Sequence, residues 1–500
     1  MTATGTGTGT AGGLTREQLI AAGTPRRRLY IEAAPGSGKT TVAAQRFGIQ
    51  RFRGANDPRA VIAVSFTRSA TAELRDRVLS QWGSAALAWP HRIVTLDTIV
   101  CDLLTHLLHT GHVHWPAGHR QLTVIDHWRV ALDTSWTWHE PLVVLDGRQV
   151  VTRTVTRARQ ENHPTTAAVK QALTEGLCTH QDIRRLLETA LGDPDIHDVL
   201  RSHLADTTRT LIVDEIFDAN ALDLTLVRLA ASAGLDVTVV GDPWQALYGF
   251  RGAQPDRVPA LITQAGFVQR DLHTSFRWKS AQQQLLADQL RQGHGVTLPP
   301  GQATDTDVLL ALQWSHLWDA GPQVLPLAFS SKTGQAQEAA STLLLSELTQ
   351  RTFGDHATFH NDALTTLAVD HQTLQRLRPR LHALLDDLAG TKDLNALRTE
   401  LSTIIKEETG RQLPQRHPTH IARLQHLRTR LQTSGSRLIP GLTAHQAKGR
   451  EWDHVGVRLT PAEQGTLSQG LDSNNEDHRK LYVALTRARR TTVSLQPGPS

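Results

Sequence analysis

The chain has 500 residues, 39% of them hydrophobic and 20% charged, with a formal net charge of +5. That length is too great for one core and fits roughly three or four domains, and the composition argues against a disordered or fibrous chain. The mild basicity permits a polyanionic partner, while the two cysteines, Cys101 and Cys178, lack CxxC spacing and argue against a disulfide framework or a zinc knuckle.

Residues 1–13 are a Gly/Thr low-complexity stretch, expected to be a disordered tail. It has neither the basic nor the apolar region of an export signal. No later apolar stretch approaches the roughly 20 residues that span a bilayer, so a cytoplasmic protein without a membrane partner is expected. From Leu14 onward, short β-rich runs alternate with helical stretches, which predicts parallel α/β sheets. The first run, Leu29–Ala33, leads into Ala34, Pro35, Gly36, Ser37, Gly38, Lys39, Thr40 and Thr41. Small residues here let backbone N–H groups turn inward around phosphate oxygens. Lys39 would reach the β- and γ-phosphates of ATP, and the Thr40 hydroxyl would hold Mg²⁺. Ala33 stands where the GxxxxGK[ST] pattern has its first glycine, and a small residue suffices there.

The run Val61–Ser65 follows, and then residues 105–205 show helical periodicity and almost no strand signal. Their histidines His106, His109, His112, His114 and His119, near Asp102, make a metal site conceivable, but a polar loop is the reading preferred in a chain with 25 histidines. The run Thr210–Val213 ends in Asp214, suited to Mg²⁺, and Glu215, suited to polarising the attacking water. The run Val237–Val240 ends in Gly241-Asp242, which places Gln245 at the nucleotide as a γ-phosphate sensor. Further on come Val324–Phe329, a second helical stretch over 351–435, and the runs His454–Leu459 and Thr492–Leu495. The second helical stretch repeats apolar residues at helical spacing: Leu374, Leu377, Leu381, Leu384 and Leu385, then Leu394, Leu397, Leu401, Ile404 and Ile405.

Laid end to end, these segments resemble the UvrD/Rep family of superfamily 1 DNA helicases. Leu14-Thr-Arg-Glu-Gln18 resembles its Q motif, Val64-Ser-Phe-Thr-Arg-Ser-Ala-Thr-Ala-Glu-Leu-Arg75 its motif Ia, and Val94-Thr-Leu-Asp-Thr98 its motif Ib. Gly241-Asp-Pro-Trp-Gln-Ala-Leu-Tyr-Gly-Phe-Arg-Gly-Ala253 resembles motif III and Leu272-His-Thr-Ser-Phe-Arg277 motif IV. Leu442-Thr-Ala-His-Gln-Ala-Lys-Gly-Arg-Glu451 resembles motif V and Lys480-Leu-Tyr-Val-Ala-Leu-Thr-Arg-Ala488 motif VI. Of only eight lysines, three (Lys39, Lys448 and Lys480) fall inside these motifs.

The resemblance implies an α/β fold of two RecA-like parallel-sheet domains with ATP between them, each carrying a mostly helical insertion. The first domain would be 14–104 and 206–273, with insertion 105–205. The second would be 274–350 and 436–500, with a reduced insertion over 351–435. Gln18 would read adenine, Phe276 stack on it and Glu451 contact the ribose, while Arg277 and Arg487 approach the γ-phosphate. Phe66, Tyr248 and Phe250 would stack on bases, and Thr67, Arg68, Arg251 and His445 would contact the strand. For Phe250 the competing reading is core packing. The implied activity is an ATP- and Mg²⁺-dependent motor moving 3′→5′ on single-stranded DNA or at a single-/double-strand junction.

Departures from the family pattern bear on coupling. The second motif reads Asp214-Glu-Ile-Phe-Asp218, with Phe217 where the family has a glutamine linking nucleotide state to the DNA site. Arg68 replaces a common asparagine and Asp97 a usual histidine. The short second insertion points to a compact motor dependent on a partner to unwind. The chain stops soon after the last motif, so a fused nuclease is not expected. Its size and its GDPxQ…RGAxP run also resemble the helicase-like subunit of the Gabija anti-phage system, which implies a separate nuclease partner. A DNA-responsive ATPase switch with little unwinding of its own is the alternative activity.

Overall fold

A computed structural model describes residues 13–54, 56–330, 335–413, 418–433 and 437–495. All but the last residue of the Gly/Thr tail lies outside these. The chain divides into two units, Met1–Phe276 and Arg277–Ser500.

The strands of the first unit are β1 (Arg28–Ala33), β2 (Ala60–Ser65), β3 (Arg92–Thr95), β4 (Thr123–Ile125), β5 (Ser135–Asp146), β6 (Gln149–His163), β7 (Leu177–Thr179), β8 (Thr208–Val213), β9 (Asp236–Gly241) and β10 (Val268–Leu272). Six of them form one sheet in the order β10-β1-β9-β8-β2-β3, parallel throughout. Helices cover both faces of such a sheet, so its inner strands read as apolar runs without alternation. Every residue of β2 is buried, and so are all but the first of β9. The helix Lys39–Arg53 buries Val42, Ala43, Ala44 and Phe47. Arg46 is 1% exposed on the same helix. Its guanidinium donates to the carbonyls of Ala22, Thr24 and Arg26 and to Thr238 Oγ1, so a buried cation is fully used in joining a helix C-terminus to β9. The strand β10 was not among the β-rich runs; its sequence, Val-Gln-Arg-Asp-Leu, is polar because it lies at the sheet edge and buries only Leu272.

The first insertion corrects the sequence reading. Residues 105–205 do contain helices, at Thr166–Thr174, His180–Ala190 and Pro194–Thr207. Ahead of them, however, β5 and β6 form a long antiparallel ribbon, and β4 pairs in parallel with β7. The ribbon is largely solvent-facing, with only Pro141, Val143 and Val150 buried along it. Its apolar alternation is therefore weak, although the Thr/Val/Trp-rich composition and the Asp146-Gly147 turn carried a hairpin signal. Among the described residues no group of three or more His, Cys, Asp or Glu side chains is arranged to hold a metal. His106 stacks on His203 with ring centroids 3.7 Å apart.

The second unit holds β11 (Pro300–Gly301), β12 (Val308–Ala311), β13 (Val324–Pro326), β14 (Ile439–Thr443), β15 (Trp452–Val457) and β16 (Ala488–Leu495). They make another parallel sheet, in the order β11-β16-β15-β12-β14-β13. The run expected over Val324–Phe329 stops at Pro326, whose ring nitrogen has no proton for a ladder. Residues 351–435 fold as helices at His360–Leu367, His371–Ala389, Leu394–Thr409 and Pro418–Gln432. Leu377, Leu381, Leu384, Leu385, Leu397, Leu401, Ile404 and Ile405 all point into their shared core, and Leu374 and Leu394 lie half-buried at its margin. No helix among the described residues is long and apolar enough to cross a membrane.

Candidate nucleotide and nucleic-acid site

Because the first sheet is wholly parallel, the carboxyl ends of its strands open on one edge, where ligands of open α/β sheets bind. The loop after β1 begins there. Gly36 and Gly38 have φ of 73° and 83°, values that favour glycine, and they turn the chain into the helix Lys39–Arg53. The loop is braced from three directions. Ala34 N–H donates to Leu272 O at 3.0 Å and Phe276 N–H to Gly36 O at 2.9 Å. Ser275 Oγ donates to Pro35 O at 2.7 Å. Gln18 Nε2 donates to Ser37 O at 2.9 Å, while its Oε1 accepts from Thr15 N in a capping box. A Cβ on Gly38 would lie 2.6 Å from Gln18 Nε2, so the glycine is needed for space as well as conformation.

Lys39 is mostly buried, and its Nζ lies 3.3 Å from Glu215 Oε1. Among the described residues it has no hydrogen-bond acceptor of its own besides this ion pair. Asp214, at the end of β8, donates its N–H to Val64 O and accepts Glu215 N–H on Oδ1 at 3.0 Å. Burial, then the neighbouring Glu215 charge, pushes its carboxyl up to about 7, against the pull of Lys39. Glu215 itself has φ 58° and ψ 44°, a left-handed conformation rare outside glycine and typical of strained functional positions. After β9, Gln245 Nε2 donates to Asp242 Oδ2 at 2.7 Å, both side chains being buried. Thr41 Oγ1 accepts from Arg77 at 2.8 Å. The fold thus brings Gln18, the 34–41 loop, Asp214, Glu215 and Gln245 to one edge. The supports Asp242, Ser275 and Arg77 had no assigned role in the sequence reading; the partners of Ser275 and Arg77 lie far away along the chain, while Asp242 holds Gln245 three residues on. Hard oxygen donors such as the Thr40 hydroxyl and the Asp214 carboxyl suit Mg²⁺, which takes one or two protein oxygens and completes its shell with phosphate and water.

Phe217 is buried in the core beneath this edge, edge-on to Tyr30 with centroids 6.3 Å apart. A Cβ on Gly241 would lie 2.8 Å from its ring, so β9 passes directly against it. Phe217 is a packing residue here, whatever polar link a glutamine would have made.

Phe66, Thr67 and Tyr248 line one cavity of about 240 Å³ in the first unit, together with Leu96, Asp97, Arg184, Asp218, Asn220 and Asp223. Phe250 lies beside Tyr248, with centroids 6.0 Å apart, and is 67% exposed, which rules out core packing. Arg68 is exposed and pairs with Asp126 at 3.5 Å. The Arg251 side chain lies outside the described ones. In the second unit, Arg277 Nε pairs with Glu451 Oε2 at 3.1 Å and its Nη1 donates to Thr486 O at 3.0 Å. Arg487 is fully buried and donates from Nε to Val483 O at 3.0 Å. His445 is half-buried just beyond the carboxyl end of β14.

Comparison with known proteins meets this geometry at the level of family. The UvrD/REP helicase N-terminal domain matches residues 14–175 and 153–264, and the UvrD-like helicase C-terminal domain matches residues 334–494. DNA helicase II of Salmonella typhimurium is 26% identical over 268 residues, covering 50% of this chain and 36% of that protein. The ATP-dependent DNA helicase srs2 of Schizosaccharomyces pombe is 25% identical over 272 residues, covering 48% of this chain and 30% of that one. The chain therefore matches only about a third of the length of these curated relatives. The solved Pif1 helicase from Candida albicans aligns over 97% of this chain and 95% of its own at 11% identity and a TM-score of 0.37, too low a likeness to argue from. The N-terminal match spans half of the chain and the C-terminal match most of the remainder, so this chain belongs to the UvrD/REP helicase family.

Proposed function

We propose that this chain is a DNA-dependent ATPase that moves 3′→5′ along single-stranded DNA or into a single-/double-strand junction. The observation that carries the reading is the gathering of Lys39, Asp214, Glu215 and Gln245 at the carboxyl edge of one parallel sheet, beside a glycine-shaped loop. Lys39 now rests on Glu215; the phosphates of ATP offer it a stronger anionic partner and release Glu215 to orient and polarise the attacking water. Gln245, pinned by Asp242, is positioned to sense the terminal phosphate. Thr40 and Asp214 would hold Mg²⁺, which when bound neutralises charge on the β- and γ-phosphates. Phe276, Glu451, Arg277 and Arg487 are the further nucleotide contacts we assign by family resemblance, the two arginines stabilising transition-state charge. Exposed Phe250 and the half-buried Phe66 and Tyr248 supply flat faces on which bases stack.

The test is steady-state ATP hydrolysis with and without single-stranded DNA at fixed salt, because DNA affinity falls steeply with salt. Strong stimulation supports the motor, and displacement of a strand with a 3′ overhang, but not a 5′ one, supports the polarity. A second reading, a DNA-responsive switch acting on a partner such as a separate nuclease, is favoured by one feature: Phe217 is packed on Tyr30 and carries no polar group toward the DNA side. Stimulated hydrolysis without displacement on either overhang would select it.

A further inference from the structure

The cavity that holds Phe66, Thr67 and Tyr248 has a charged wall that the sequence motifs do not explain. Asp97, Asp218 and Asp223 all line it, and among the described residues Arg184 is the cation that joins them in doing so. Asp97 lies in the first turn of the helix Leu96–His109 that follows β3. Asp223 lies in the first turn of the helix Ala221–Ser232, where it also accepts Asn220 N–H in a capping box. Carboxylates are at home in both places, since each faces a helix N-terminus. Together, however, they would set a cluster of negative charge beside residues assigned to a polyanionic strand.

Arg184 answers this from a third element. It comes from the helix His180–Ala190 of the first insertion, far from both carboxylates in sequence, and only 22% of its side chain is exposed. Nη1 pairs with Asp97 Oδ1 at 2.6 Å, and Nη2 pairs with Asp223, which is almost fully buried. The planar guanidinium can serve two carboxylates at fixed angles, which an ammonium on a flexible stem cannot. One side chain therefore both offsets part of the charge on the cavity wall, at Asp97 and Asp223, and ties the insertion to the two helices that flank it.

We propose that Arg184 is the positioning residue for DNA in this cavity: by clamping Asp97 and Asp223 it holds the wall opposite Phe66 and Tyr248 in place and admits an unstacked base. The inference rests on the DNA reading above. It makes Asp97 and Arg184 partners, so that the departure from the family at position 97 is matched by a residue of the insertion.

The experiment uses the full chain and single-stranded oligothymidine carrying one 2-aminopurine at successive positions, whose fluorescence is quenched on stacking. Fluorescence anisotropy of a labelled oligothymidine gives binding, and steady-state hydrolysis gives KM for DNA and kcat separately. Arg184→Ala is expected to raise the DNA KM by ~10-fold, well beyond its effect on kcat, and to remove quenching at one position, while Arg184→Lys recovers only part of each. A purely structural residue would instead lower Tm and kcat and leave the position-specific quench in whatever protein remains folded. If Arg184→Ala does not fold, Asp97→Asn leaves Arg184 on Asp223 and is expected to give a smaller rise in KM with the same quench weakened. Unchanged DNA KM and unchanged quench in folded Arg184→Ala or Asp97→Asn overturn the proposal while leaving the DNA reading intact. Absence of any oligothymidine binding by the unaltered chain overturns both, and the anisotropy arm alone reveals it.

Discussion

The two six-stranded sheets are alike in plan and opposite in the chemistry at their strand ends. In the first, one lysine is set beside the carboxyl groups Asp214 and Glu215, held by a loop that only glycine can shape. In the second, the charge sits at the amino ends of β15 and β16, where Glu451 and Arg487 immediately precede the strands: Arg277 leans on Glu451 and Thr486, and Arg487 is buried and donates to Val483 O. A parallel sheet fixes where its two sets of strand ends lie but not what they carry. Loops and strand-terminal residues set the charge, and the same framework can present a lysine among carboxylates in one unit and guanidinium groups in the other.

Substitutions test whether both ends serve one reaction. Lys39→Ala is expected to lower DNA-stimulated hydrolysis by at least ~10³-fold while leaving anisotropy-measured DNA binding largely intact; retained turnover would remove the nucleotide assignment. Arg487→Ala should cost ~10²–10³-fold in kcat. A loss in Lys39→Ala without one in Arg487→Ala would mean that the second sheet is not catalytic. Phe217→Gln restores the residue common in the family yet places an amide in an apolar core. It is expected to destabilise the first unit by about 2–3 kcal/mol, read by urea unfolding, and a stable variant with stronger DNA stimulation would contradict the packing role given to Phe217.

Two glycines sharpen the contrast at lower cost. Gly38 and Gly449 both have positive φ, at 83° and 86°, but only Gly38 has a neighbour in the way of a Cβ, whereas Gly449 has nothing within 4 Å. Gly449→Ala should cost about 1 kcal/mol, the backbone penalty alone. Gly38→Ala should cost more, about 2–3 kcal/mol, and raise KM for ATP as Gln18 is displaced. Equal shifts in Tm would show that Gln18 yields freely.

The smallest effect is on pH dependence, and among the described residues each unit has one histidine lowered as far as about 4. Burial first, then Arg51, lowers His91 from 6.5 to about 4, and Val61 N–H donates to its Nδ1. Arg209 also faces it and opposes its charge, while Asp57 favours it. Burial first, then His356, lowers His360 from 6.5 to about 4, with Arg378 in the same sense and Glu347 in the other. Both folded states prefer the neutral ring, so the unfolded chain takes up protons first. Stability is full above pH 6.5 and is lost as pH falls from there towards 4. His91→Gln and His360→Gln should each flatten that loss in their own unit, followed by thermal melts between pH 7 and 5; a slope unchanged in both variants would place the acid sensitivity elsewhere.

The sequence by itself determined the glycine-shaped loop that follows β1 and the helices of 351–435. A phosphate loop is local, since strand, small residues, Lys39 and Thr40 follow one another and the glycine requirement is written into the chain. The leucines of 351–435 repeat at helical spacing because that bundle buries one face of each helix. The ribbon of β5 and β6 escaped notice because it is exposed on most of its surface, and exposed strands show little alternation. Only the tertiary structure decided that Phe217 packs against Tyr30, that Phe250 faces solvent and that Gln18 braces the Ser37 carbonyl. It alone revealed the joining of Asp97, Arg184 and Asp223, which lie on three helices distant along the chain. Local motifs are set by neighbours in sequence, whereas the partner of a charged side chain is set by which elements the core brings together.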